Sequence, residues 1–76
     1  MTANKSEVAR LTAQIAAEYE AGVQALRGPM SGNARHDFIV AKMEGMERAR
    51  VALVAQVGEE NAMPLIIEAI ESKKPS

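Results

Sequence analysis

Residues Ala34 to Val57 read ARHDFIVAKMEGMERARVALVAQV, a run with no proline and one glycine across more than six helical turns. Steps of alternately three and four residues from His36 land on Ile39, Met43, Met46, Arg50, Leu53 and Val57, the spacing that keeps side chains on one helix face. Val40, Val51 and Val54 lie to one side of that stripe, so the apolar face is wider than a two-helix seam requires. Ala, Met, Glu, Arg, Lys and Leu dominate the run, and the one glycine, Gly45, costs about 1 kcal/mol relative to alanine inside a helix. The wet side offers Glu44 and Arg48 at i,i+4, a solvated pair of little energetic weight.

Upstream, Asn4 followed by Glu7 has the form of a capping box, and a first helix is expected to begin there. Val8, Leu11, Ile15, Tyr19, Val23 and Leu26 then fall on one face, with Ala, Gln, Glu and Arg mostly opposite. Gly28 and Pro29 end that helix, glycine by accepting a left-handed position just past the last turn and proline by breaking the amide ladder. Ser31 or Asn33 is the expected cap of the second helix. Folding about the middle of this turn sets Ile15 against Met46, Val23 against Ile39 and Val8 against Leu53, apolar on apolar along the whole hairpin.

Downstream, Gly58 followed by Glu59 and Glu60 reads as a helix end and an acidic helix start. Met63, Leu65, Ile66, Ile67 and Ile70 fit a short third helix, but Pro64 is tolerated only in a first turn, so the helix should start near Asn61 or kink at Pro64. The expected fold is thus all-α: an antiparallel hairpin of helices at about 4–27 and 34–57 with a short helix at about 61–72, in one domain with frayed ends at 1–3 and 73–76.

Composition narrows the functional classes. At 76 residues a single core is only marginally stabilising, which favours oligomerisation. The absence of cysteine excludes disulfides and thiolate metal sites and is compatible with a cytoplasmic location. No stretch is apolar enough for a signal segment or a membrane span, and a net charge of −1 offers no global attraction to nucleic acid or anionic lipid.

Few residues invite a chemical reading. His36 beside Asp37 has the look of a metal-dependent phosphohydrolase pair, but such sites need several ligands and this is the only histidine. The serines lack a companion base, and no glycine-rich phosphate loop follows a strand. No catalytic residue, metal or cofactor is therefore expected. Arg50, in the middle of the apolar stripe, should be a buried ion-pair partner of Glu7 or Glu47. Met43, Met46 and Met63 offer an adaptable apolar groove. Arg27, Arg35 and Lys42 are the one basic patch with which a DNA-contacting regulator could work, against a third helix that is apolar and acidic.

GNARHDFIVAKMEGMERARVALVAQVGEENA, preceded by AAEYEAG, resembles a family of short, uncharacterised bacterial proteins with an Arg-His-Asp-Phe-Ile run and a helix ending in Val-Gly-Glu. The likeness spans residues 16 to 69. It implies a small all-helical bacterial protein and brings no activity or catalytic residue with it; Pro64 departs from the helix-favouring residues expected at its position.

Besides Met1 the chain has twenty-one Val, Ile, Leu, Met, Phe and Tyr residues, more than one hairpin seam can bury. Leaving the surplus bare would make a larger apolar patch than monomers usually carry. The expected function is a non-enzymatic interaction module that self-associates, as a dimer with a four-helix core, through Val40, Val51, Val54, Met63, Ile66, Ile67 and Ile70. The alternative is a regulator that contacts DNA or a larger protein partner.

Overall fold

The structure, a computed structural model, describes residues 4–29 and 32–73. It is all-α: α1 (Lys5–Arg27), α2 (Gly32–Val57) and α3 (Glu59–Glu71). The first helix is capped as its sequence implies, with Asn4 Oδ1 accepting from the Glu7 amide at 3.0 Å. The other half of the box is used differently, because the Glu7 carboxylate accepts from Arg10 Nε at 2.7 Å.

The turn after α1 departs from expectation. Gly28 is extended, with φ −83° and ψ −178°, and not left-handed. Pro29 is the reason, since its ring forces the preceding residue out of the helical region into an extended one. The loose carbonyls of α1 are satisfied in other ways. The Gly28 amide donates to Gln24 O at 2.8 Å, and Arg35 Nη1 reaches back from α2 to Leu26 O at 3.2 Å. That places a cation at the negative end of the α1 dipole. The second helix begins at Gly32, which takes a positive φ of 63°. Asn33 is therefore inside its first turn and not its cap, and Ser31 lies outside the described residues.

A single residue links α2 to α3. Gly58 has φ 87° and ψ 154°, a combination open essentially to glycine alone. Its amide closes α2 on Val54 O at 2.8 Å, and its carbonyl opens α3 by accepting from the Ala62 amide at 2.9 Å. The third helix thus starts at Glu59, two residues earlier than expected, and runs through Pro64. Lys73, expected to fray, donates its amide to Ile70 O and lies 3.8 Å from Glu20 Oε1; residues 1–3 and 74–76 are outside the described residues.

The two long helices form the antiparallel hairpin. Glu18 meets Lys42 at 3.2 Å and lies against Gly45, which brackets the expected register. The third helix returns along the groove between them, antiparallel to α2. Leu11, Ile15, Ala49, Leu53 and Ala62 make the buried core, and Val8, Met46, Val54, Val57, Leu65, Ile66 and Ile70 pack around it. Each fully buried Leu or Ile contributes about 1.5–3 kcal/mol.

The face that α2 turns to α1 is rotated from the one expected. The buried line on α2 is Gly45, Ala49 and Leu53, whereas Met43 is 63% exposed and Arg50 is half-buried. Small residues at the seam let the helix backbones approach closely. The larger Met43, Met46 and Arg50 are then turned toward the groove that α3 enters.

Candidate functional site

Helix α3 has 13 residues and α2 has 26, so at about 1.5 Å per residue α3 covers only about half of the hairpin. Beyond its C-terminus the same interhelical groove stays open among the described residues. The floor there is built by Tyr19, Val23 and Leu26 from α1 and by Ile39, Met43 and Met46 from α2, around a hollow of about 160 Å³. Met43 and Met46 also wall a second hollow of about 220 Å³ beside α3, completed by Ile15, Ile66, Glu47 and Arg50. The two hollows share Met43 and Met46 and so form a largely apolar channel with this methionine pair at its waist and the Glu18–Lys42 and Glu47–Arg50 pairs in its walls. Unbranched thioethers adapt readily to whatever lies against them.

Large apolar side chains are also exposed on α1 and α3. Leu26 is 59% exposed, Met63 47% and Ile67 52%. Of the residues expected at an interface, Val54, Ile66 and Ile70 are packed against the core of their own chain. Val40 and Val51 are exposed, but helical geometry sets Glu44 and Glu47 between them on the outer side of α2. Of that set Ile66 also lines the hollow beside α3, while Met63 and Ile67 are exposed one turn apart on the same helix.

Arg50 pairs with Glu47, through Nε at 2.9 Å and Nη2 at 2.7 Å, and not with Glu7. This corrects the expectation of a buried pair, because the two side chains are 39% and 60% exposed. Rotation of the seam onto Gly45 and Ala49 carries Arg50 to the lip of the channel, where the guanidinium finds water and a carboxylate one turn away. The hydrogen bonds from Arg50, and then its charge, hold the Glu47 carboxyl below the usual carboxylate range.

His36 and Asp37 are both largely exposed, with Nδ1 and Oδ1 3.7 Å apart. Among the described residues, no three His, Cys, Asp or Glu side chains converge as metal ligands. Ser72 donates its hydroxyl to Ala69 O at 2.7 Å. In the basic patch, Lys42 is taken up by Glu18 and by the Phe38 ring, 5.2 Å from its centroid, and Arg35 by the Leu26 carbonyl. No helix among the described residues is long and apolar enough to cross a membrane.

No known protein family, characterised protein or solved structure matches the chain.

Proposed function

We propose that this chain is a small, non-enzymatic interaction module of the cytoplasm that works as a homodimer. One observation carries the reading: among the described residues the interhelical groove filled by α3 over half its length continues open and largely apolar, lined by exposed Leu26 and Met43, while Met63 and Ile67 stand exposed on α3. Water against that surface is costly, and a chain of 76 residues has little stability to spare. A second copy brings the matching kind of surface and covers both at once.

The interface centres on the channel and its rim, so it includes Leu26 and Met43 and leaves out the outer valines of α2. Light scattering or sedimentation at micromolar concentration should report twice the chain mass. Ile67→Glu, at an exposed position that leaves the core intact, should return the mass to that of one chain. A single-chain mass for the parent protein would refute the dimer.

A further inference from the structure

We infer that the open half of the groove receives α3 of a second copy, so that each chain both inserts an α3 ridge and accepts one. This inference rests on the self-association proposed above and adds the mode of docking.

Continuity is the first argument. The open floor, from Tyr19 to Leu26 and from Ile39 to Met46, prolongs the seat in which the chain's own α3 lies. Its natural occupant is another apolar helix. Helix α3 has a spare ridge, because Ala62, Leu65 and Ile66 turn inward while Met63 and Ile67 remain exposed one turn apart.

Charge is the second argument. The segment Glu59–Glu71 carries four glutamates and no basic residue. Around the open end of the groove Lys42 is paired with Glu18, and between residues 21 and 41 Arg27 and Arg35 are opposed by Asp37 alone. An acidic helix and a basic socket are thus held at opposite ends of one face.

Geometry joins the two. Helices rise about 1.5 Å per residue, so a two-fold axis crossing the hairpin level with Met43 makes the copies antiparallel and exchanges ridge for groove. Met63 then meets Leu26 of the second copy, Ile67 meets its Val23 and Ile39, and Glu59 and Glu60 come beside its Arg27 and Arg35. Met43, shared by both hollows and 63% exposed, lies on the axis against its own counterpart. One operation covers the exposed Leu26, Met43, Met63 and Ile67 and pairs the opposite charges.

The chain has no cysteine, so engineered thiols report without background. Leu26→Cys and Met63→Cys proteins are mixed in a redox buffer, with Leu26→Cys plus Val51→Cys as the control pair from the outer side of α2. The first mixture should give a mixed disulfide of twice the chain mass, at a yield at least about tenfold above the control. In the cysteine-free chain, Glu59→Arg with Glu60→Arg should weaken the dimer about tenfold or more, and Arg27→Glu should restore part of that loss. Twice the chain mass in light scattering without preferential Leu26–Met63 linkage would overturn this docking and leave self-association standing. A single-chain mass at every concentration would overturn both.

Discussion

The Glu18 carboxylate occupies the space that a side chain at Gly45 would fill. Gly45 is buried, and a methyl group there would overlap the carboxylate, which is held in place by Lys42 at 3.2 Å. Glycine inside a helix forfeits about 1 kcal/mol of propensity relative to alanine, and this close approach is what it gains. Two effects of opposite sign therefore meet in Gly45→Ala. The substitution should gain less than the full propensity in the parent chain, because the flexible end of Glu18 must swing aside and its pairing with Lys42 is loosened. In a Glu18→Ala background the same change should raise stability by about 1 kcal/mol, propensity being all that remains. Urea unfolding of the four proteins forms a double-mutant cycle. An equal effect of Gly45→Ala in both backgrounds would show that the two residues do not compete for space.

Leu53 and Val51 lie two residues apart on α2 and should differ sharply in their response to truncation. Leu53 is fully buried between α1 and α3 and Val51 is more than half exposed. Leu53→Ala should cost about 2–5 kcal/mol through lost transfer energy and the cavity left behind, a large share of the roughly 5–15 kcal/mol that small domains possess. Val51→Ala should change stability by less than about 0.5 kcal/mol, as surface substitutions usually do. Similar losses at both sites in denaturant unfolding would mean that α2 is turned differently about its axis.

Arg50→Met should leave the fold intact, since the arginine meets solvent and Glu47 and contributes nothing to the buried core. Its signature should appear in the titration of Glu47. The parent carboxyl titrates below its ordinary range because Arg50 hydrogen-bonds to it. A depressed folded pKa stabilises the fold above the unfolded pKa, and that contribution disappears as pH falls through the folded one. In Arg50→Met the Glu47 midpoint should move up and this part of the acid dependence should vanish. Carboxyl chemical shifts followed by NMR would check it, and an unmoved midpoint would mean that the pair does not persist in solution.

The helices, their order and the register of the hairpin were legible because Leu11, Ile15 and Leu53 repeat at helical spacing and because Gly28-Pro29 and Gly58-Glu59-Glu60 punctuate the runs. The facing of α2 was not. A stripe traced through large apolar residues passes over Gly45 and Ala49, which form the seam because they are small, and so it assigns Met43 and Arg50 to the hairpin contact. Met43 and Met46 were legible as an adaptable apolar groove, but the same bias hid how far it extends. Tyr19, Val23, Leu26 and Ile39 read as spent on the seam, whereas α3 is too short to cover them. Met63 and Ile67 could be suspected as interface residues because their alternation with Ala62 and Ile66 leaves them no inward place on a short helix. The conformation of Gly28 was also misjudged, since the freedom of a glycine counts for less than the steric demand of the proline after it.

Pro64 is the sixth residue of α3, past the first turn in which proline is harmless. It cannot donate to the Glu60 carbonyl, and its ring crowds that same group. Proline inside a helix costs about 3 kcal/mol relative to alanine. Part of this is offset, because proline also restricts the unfolded chain, an effect of about 0.4–1 kcal/mol at a compatible site. The side chain is exposed, so no core packing is lost when it is replaced. Pro64→Ala should therefore stabilise the protein by about 2–2.6 kcal/mol. The gain should be concentrated in α3, as slower hydrogen exchange of the amides between residues 62 and 70, with those of α1 and α2 less affected. A loss of stability would be informative in the opposite direction: it would mean that the proline bends α3 to seat Leu65 and Ile66 in the groove, and that a straight helix cannot reach them.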